Sequence, residues 1–240
     1  MDRKDIVYFV KDCSENEELR YSLRSVEKNF PHGKVWFFGG CPKGLCPDVH
    51  VPIEQTQSSK YLRVRDMIKA AIDTEELSDN FWLFNDDFFA MSKLSYLLPT
   101  IDGSLDRKVH RIEKKYSGET AYTHRIRNTI YALREMGCDI LSYEMHIPME
   151  INKDAARKVL NVFTDDVAFR SAYGNYYDLA KAIHPDIKIV DAEQECDPDI
   201  HNVFLSTSDK SFKRGKVGEM IRSTFNIPSK YEIDCGDDNV

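Results

Sequence analysis

The stretch Phe81-Trp82-Leu83-Phe84-Asn85-Asp86-Asp87-Phe88-Phe89-Ala90-Met91 places two adjacent carboxylates inside an otherwise apolar run. The apolar residues before Asn85 predict a buried strand that ends where the polar residues begin. Ligands of open α/β sheets collect at the carboxyl ends of the strands, so this strand end is a candidate binding site. The alternative is that Asp86 and Asp87 cap the strand and start a helix near Ser92.

Two neighbouring carboxylates repel each other unless a cation lies between them or one keeps its proton. Mg²⁺ and Mn²⁺ prefer carboxylate oxygens and usually share their coordination shell with substrate phosphates. Asp86 and Asp87 are therefore predicted metal ligands, with Mg²⁺ or Mn²⁺ as the cofactor. The pattern favours a metal-dependent transferase that acts on a nucleotide-linked donor.

Strand and helix patterns alternate through the first half of the chain. The predicted strands cover residues 5–12, 34–38, 49–53 and 81–84, and the predicted helices are one that starts at a Ser14/Glu17 capping box and one over 60–74. This order predicts an α/β fold with a mostly parallel sheet flanked by helices. Asp12, at the end of the first strand, then opens onto the same edge of the sheet as Asp86 and Asp87.

The second half is more helical and less regular. Residues 105–115 and 119–136 are helical candidates rich in Arg and Lys, so residues 105–137 are predicted to form a helical insertion or lid over the strand ends. The further predicted elements are a strand at 140–145, helices at 154–163, 173–184 and 216–225, and strands at 187–190 and 203–205.

Composition limits the class of protein. The 240 residues suffice for one domain, predicted over residues 1–233, with a flexible acidic tail at 234–240. The net charge of -7, from 33 basic and 40 acidic residues, argues against general affinity for nucleic acid or anionic membrane. No run approaches the ~20 apolar residues of a membrane span, and residues 1–5 lack the apolar core of a secretion signal. We therefore expect a cytoplasmic protein without a membrane span.

The six cysteines form no Cys-x-x-Cys pair of the kind that zinc and redox sites use. Cys41 and Cys46 flank a short turn and could meet. Reduced thiols are nevertheless expected in a chain without a secretion signal.

A longer motif connects these features to a known family. The run Glu18-Leu19-Arg20-Tyr21-Ser22-Leu23-Arg24-Ser25 resembles the second conserved region of the Stealth family, a region that closes with Asn-Asp-Asp, as Asn85-Asp86-Asp87 does here. The family comprises bacterial capsule sugar-1-phosphate transferases and the lysosomal-enzyme N-acetylglucosamine-1-phosphotransferase. Counterparts of its other regions, in order, are Asp5-Ile6-Val7-Tyr8 with Asp12, His146-x-Pro148 followed by Phe169-Arg170-Ser171, and Ile227-Pro228-Ser229-Lys230-Tyr231-Glu232. The resemblance spans nearly the whole chain.

The chain departs from the family pattern at two places that bear on ligands. The first region usually continues Thr-Trp-Val-Asp-Gly, and only Asp12 of that pattern is kept. The fourth region usually carries an Asn-Asp pair, where this chain has Ser206-Thr207-Ser208-Asp209. A ligand from that region is therefore missing or replaced by Asp209.

The resemblance implies a glycosyltransferase-A-like (Rossmann-like) fold and transfer of a sugar-1-phosphate from a nucleotide sugar, with a UDP-sugar favoured, to a hydroxyl of a glycan acceptor. On this view Asp86 and Asp87 hold the metal and Asn85 shapes the turn. Arg170 is the predicted diphosphate clamp, because a guanidinium can hold two oxygens at once. His146 is the predicted base, since its ordinary pKa lies nearest neutrality; the alternative is a core or capping histidine.

Five residues are assigned to nucleotide-sugar binding, namely Asp12, Arg20, Arg24, Lys60 and Asn85. Arg20 and Arg24 share one face of the first helix, where they reach nucleotide phosphates or pair with acids of that face such as Glu27. Asp12 bonds the ribose or base, or else caps the following helix.

Two other functions stay open. One is a glycosyltransferase of the same fold that releases a nucleoside diphosphate, with a glycan, a protein or a modified nucleic acid as acceptor, because fold alone does not separate the two reactions. The other is a non-catalytic module that binds nucleotide sugars or glycans.

Overall fold

The computed structural model describes residues 3–57, 59–94, 97–163, 166–179, 181–194 and 203–232. The strands are β1 (Asp5–Val10), β2 (Val35–Gly39), β3 (Val49–Val51), β4 (Asn80–Phe84), β5 (Phe88–Ala90), β6 (Thr100–Ile101), β7 (Met149–Asn152), β8 (Ala182–Ile183), β9 (Lys188–Ile189) and β10 (Phe204–Thr207). The helices are α1 (Glu17–Asn29), α2 (Lys60–Asp73), α3 (Leu105–Tyr116), α4 (Ala121–Glu135), α5 (Lys153–Val162), α6 (Phe169–Tyr176), α7 (Asp209–Arg214) and α8 (Lys216–Thr224), followed by a 3-10 helix at Lys230–Glu232.

A five-stranded sheet in the order β3-β2-β1-β4-β7 organises the chain. β1 pairs in parallel with β2 and β4, β2 pairs in parallel with β3, and β7 runs antiparallel to β4. The predicted α/β fold with a mostly parallel sheet is therefore confirmed. The three central parallel strands, β1, β2 and β4, are largely apolar because both faces of the sheet are covered.

Alternate residues of β1 show how the two faces are covered. Ile6 and Tyr8 are buried on the side packed by α1, in one core cluster with Leu23. Val7 points to the other side and packs in a second cluster with Met67 of α2. The period-two alternation of the strand thus places α1 and α2 on opposite faces of the sheet.

The Asp86-Asp87 pair lies in a turn between two sheets. β4 belongs to the central sheet, whereas β5, which follows the turn, pairs antiparallel with β10 in a three-stranded sheet of order β5-β10-β9. The alternative of a helix starting near Ser92 is wrong, because Phe88–Ala90 continues as a strand that Phe204–Thr207 pairs.

The helical insertion is part of the main core. Val109 of α3 and Ile126, Ile130 and Leu133 of α4 are buried in the same cluster as Val7. Residues 105–137 therefore form a packed wall beside the sheet.

Three local predictions are wrong. The N-cap of α1 is Asn16, whose side chain accepts from the backbone N–H of Leu19, so the Ser14/Glu17 box does not form. Residues 140–145 do not form a strand, since their backbone bonds are divided between residues 102–105 and side chains of α6, as when Leu141 donates to Asn175. The predicted helix at 173–184 is displaced, because α6 is Phe169–Tyr176.

The predicted acidic tail at 234–240 lies outside the described residues. Among the helices described, none has the length and apolar character needed to cross a membrane.

Cys41 is a free thiol but Cys46 is disulfide-bonded, so the expected reduced state is wrong for Cys46.

Candidate functional site

A cleft of about 730 Å³ opens at the carboxyl ends of β1 and β4, between the sheet and helices α2, α4 and α6. Five residues from the predicted site line it, namely Lys60, Asn85, Asp86, His146 and Arg170. The parallel arrangement of β1 and β4 accounts for its position, because loops at one end of such strands diverge and leave a crevice.

The two aspartates of the turn face different partners. Asp87 is buried, and its Oδ2 accepts from Lys188 Nζ at 2.8 Å and from Ser206 Oγ at 2.9 Å. Asp86 lines the cleft, and its Oδ2 accepts from Asn16 Nδ2 at 2.8 Å. Burial raises the pKa of the Asp86 carboxyl, and the charge of Asp87 adds to the rise.

A third carboxyl, that of Glu18, completes this acidic region. Burial, together with the charges of Asp86 and Asp87, raises the pKa of Glu18 to about 7. The hydrogen bond that Glu18 accepts from Thr207 Oγ1 at 2.7 Å opposes this rise but does not cancel it. Glu18 belongs to the motif on α1, but its proximity to the turn depends on tertiary packing. Lys188 on β9 is the cation that the structure pairs with Asp87.

The acidic region fits a divalent cation only in part. Asp87 is already neutralised by Lys188, whereas Asp86 presents a desolvated carboxyl to the cleft. Within the described ranges, no group of three or more His, Cys, Asp and Glu side chains is arranged to hold an ion. Asp86 is therefore the residue that could hold a cation, with substrate phosphates and water completing the shell, as Mg²⁺ commonly requires.

His146 is fixed by a carboxylate that the sequence did not reveal. Nδ1 of His146 lies 2.7 Å from Oδ2 of Asp186, and the backbone N–H of His146 donates to Oδ1 of Asp186 at 3.1 Å. Burial would raise the pKa of Asp186, but the hydrogen bonds and charge of His146 outweigh it and lower the pKa to about 2. No described residue bonds Nε2 of His146, which can therefore accept a proton in the cleft.

Arg170 lies in the cleft, but its donors are engaged. Its guanidinium donates to the backbone oxygens of Met145 and of Ile147, the latter at 2.7 Å, with a longer contact of 3.4 Å to Leu83 O. These carbonyls flank His146, so Arg170 holds the segment that carries the imidazole. The predicted clamp would require these bonds to break.

Arg20 and Arg24 are not brought to the cleft. Arg24 donates to Glu232 from Nε at 2.7 Å and from Nη2 at 2.6 Å, and Arg20 lies 3.4 Å from the same carboxylate. The two arginines thus fasten the 3-10 helix onto α1. This pairing connects the motif at residues 18–25 with the motif at residues 227–232.

Asp12 and Asp209 lie at the edge of the site. Asp12 is exposed beyond β1, and its Oδ1 accepts from Gln55 at 3.1 Å. It does not cap α1, because Asn16 does. Asp209 is exposed at the first position of α7 and lies 3.8 Å from Lys213.

Comparison of the chain with protein-family models gave no match, and comparison with curated proteins gave none. The resemblance to the Stealth family therefore rests on the motifs and their order along the chain.

Proposed function

We propose that the chain is a metal-dependent transferase that takes a nucleotide sugar, and that it moves a sugar-1-phosphate to a hydroxyl of a glycan acceptor. The observation that carries the proposal is that Asp86 and His146, whose imidazole Asp186 orients, line one cleft at the ends of parallel strands. Phosphoryl transfer to a hydroxyl requires a base for the hydroxyl proton and a cation for the phosphate charge, and this cleft holds an oriented imidazole and a carboxyl suited to a cation.

In this reaction the acceptor oxygen bonds to the sugar-bearing phosphorus. The bond from that phosphorus to the bridging oxygen breaks, and the nucleoside monophosphate leaves with the electron pair. The hydroxyl proton passes to Nε2 of His146, whose Nδ1–H stays hydrogen-bonded to Asp186. The Asp186 carboxylate stabilises the imidazolium that forms, because its own pKa is too low for it to take up the proton.

Other residues hold the site in place. Arg170 fixes the backbone on both sides of His146, and Lys188 with Ser206 fixes Asp87 at the turn. A divalent cation held at Asp86, when bound, supplies neutralisation of the diphosphate charge. The 730 Å³ volume suits a ligand of nucleotide-sugar size.

A glycosyltransferase acting at the same cleft is the alternative. The observation that favours it is the position of Asp209, which stands where the fourth motif has its Asn-Asp pair but is 84% exposed in its side chain and does not line the cleft. In this alternative the acceptor attacks the anomeric carbon and a nucleoside diphosphate leaves.

The proposal is tested by incubating the protein with Mn²⁺ or Mg²⁺, a panel of nucleotide sugars and glycan acceptors. We expect metal-dependent loss of one nucleotide sugar, strongly reduced in His146→Gln and unchanged in His184→Gln, whose exposed imidazole is bonded to Pro185 O. Absence of turnover with every donor, or equal turnover in His146→Gln, would contradict it.

A further inference from the structure

Arg125 on α4 is a buried cation in the wall of the cleft. It is 7% exposed, and Nη2 donates to Oδ1 of Asp166. Neither Nε nor Nη1 is hydrogen-bonded to a described residue, and Nε is fully buried without a partner. A buried donor without an acceptor is costly, so this guanidinium is poised for an additional acceptor.

A second cation lies beside it. Lys60, the first residue of α2, lies with Nζ 4.8 Å from the centroid of the Tyr61 ring, and the guanidinium carbon of Arg125 lies 3.1 Å from the same centroid. No described carboxylate forms an ion pair with Lys60. Burial lowers the pKa of Lys60, and the positive charges of Arg125 and Lys188 lower it further. Two cations therefore lie side by side at this end of the cleft.

The other arginines of the cleft are already satisfied. Arg170 donates to three backbone oxygens, and Arg65 donates to the oxygens of Leu160 and Phe163 at 2.9 Å each. Of the three described arginines that line the cleft, Arg125 is the one whose buried N–H lacks an acceptor.

The nearby carboxyls do not fill this role. Asp166 accepts from Nη2 of Arg125 alone, and the side chain of Asp166 is 45% exposed. Glu144 lies in electrostatic range of Arg125, but its Oε1 accepts from the backbone N–H and the hydroxyl of Ser171, both at 3.0 Å. Nη1 of Arg125 is the donor open to an external anion, because it has no described partner and, unlike Nε, is not among the fully buried atoms.

We propose that Arg125 and Lys60 form the anion-binding pair of the cleft and take the phosphate oxygens of the nucleotide-sugar diphosphate. The identity of the anion rests on the proposed function. Arg170 then acts as a positioning residue for the His146 segment. The guanidinium offers directed N–H donors, whereas Lys60 adds a point charge at the rim.

The test is calorimetric binding of inorganic pyrophosphate and of UDP to the wild-type chain and to variants. Arg125→Gln is expected to weaken both affinities by about tenfold or more, the loss of one charge-assisted hydrogen bond. Lys60→Gln is expected to weaken them by a smaller factor. Arg134→Gln is the matched control, because Arg134 lies on the same helix but pairs with Asp106 at the surface.

The results of these binding experiments distinguish failure of the anion site from failure of the proposed transferase function. Equal pyrophosphate binding by wild type and Arg125→Gln, or none by wild type, would overturn the anion site, whatever the turnover assay shows. Binding that depends on Arg125 without turnover of any nucleotide sugar would support the anion site and contradict the function. If Arg125→Gln does not fold, as judged by circular dichroism, the exposed Lys60→Gln variant decides, and unchanged affinity in it overturns the pair.

Discussion

Asp186 holds His146 at two points, with Oδ2 2.7 Å from Nδ1 of the imidazole and Oδ1 3.1 Å from its backbone nitrogen. One carboxylate thus fixes both the ring and the main chain that carries it. This arrangement selects the tautomer with a proton on Nδ1, so Nε2 is left as the acceptor. The pairing joins residues on either side of α5 and α6, and it is the central element of the proposed chemistry.

Asp186→Asn tests this pairing. The amide keeps the shape of the side chain but removes the charge that stabilises the imidazolium, so we expect turnover to fall by on the order of 10²-fold or more. Donor binding, measured by calorimetry, is expected to stay within about twofold, because Asp186 does not line the cleft. Asp178→Asn, at an exposed carboxylate paired with Lys181, is the control. Unchanged turnover in Asp186→Asn would remove His146 from the role of base.

Substitutions of Asp86 and Asp87 are expected to affect different properties, turnover for Asp86 and stability for Asp87. Asp86→Asn should abolish metal-dependent turnover with little loss of stability, because the charged Asp86 carboxyl is already disfavoured by burial. Asp87→Asn should lower the free energy of unfolding by about 2 kcal/mol, since it breaks a largely buried ion pair with Lys188. Urea unfolding measures the change in stability, and turnover assays at increasing metal concentration measure the change in metal-dependent activity. Full metal-dependent activity in Asp86→Asn would contradict its assignment as the ligand.

Glu18 makes stability depend on pH near neutrality. Its folded pKa is raised from 4.5 to about 7, so the folded state holds the proton more tightly than the unfolded state. The contribution of Glu18 to stability is therefore complete at low pH and is lost as pH rises from about 4.5 to about 7. Glu18→Gln is expected to raise Tm by about 2 °C at pH 8 and to leave it unchanged at pH 4. Glu17→Gln, at an exposed neighbour, is the control, and an equal rise at both pH values would contradict the electrostatic cause.

Arg24 is expected to serve stability rather than nucleotide binding. Glu232 is 5% exposed in its side chain and Arg24 is 11% exposed, so Arg24→Ala leaves a buried carboxylate with the longer Arg20 contact and the bonds from Ser229. We expect a loss of about 3 kcal/mol in the free energy of unfolding and unchanged UDP affinity. Arg20→Ala, at a longer and more exposed contact, should cost less than about 1 kcal/mol. Weakened UDP binding without loss of stability would restore the original assignment of Arg24 to the nucleotide.

The sequence was most informative where a pattern is local. The apolar runs at β1 and β4 predicted the parallel sheet, and the end of β4 predicted where Asp86 lies. Local patterns failed where tertiary contacts satisfy the backbone. Residues 102–105 and side chains of α6 bond the backbone of residues 140–145, which therefore remain outside the sheet. Asn16, rather than Ser14, caps α1.

The candidate site was predicted only in part because several of its contacts join distant segments. Asp186 follows His146 by 40 residues with no motif of its own, and Lys188 approaches Asp87 only because β9 and β10 form a second sheet. The role of Arg170 depends on carbonyl directions that a sequence does not specify. Arg125 lies in a helix whose charges resemble an ordinary solvated face, although its guanidinium is buried.

The nucleotide released during turnover tests the central claim most directly. The protein would be incubated with its donor, acceptor and Mn²⁺, the nucleotide identified by mass spectrometry, and the product examined by phosphorus NMR. We predict a nucleoside monophosphate and a phosphodiester-linked sugar on the acceptor, both lost in His146→Gln. Release of a nucleoside diphosphate with a phosphorus-free product would contradict phosphoryl transfer and identify the chain as a glycosyltransferase.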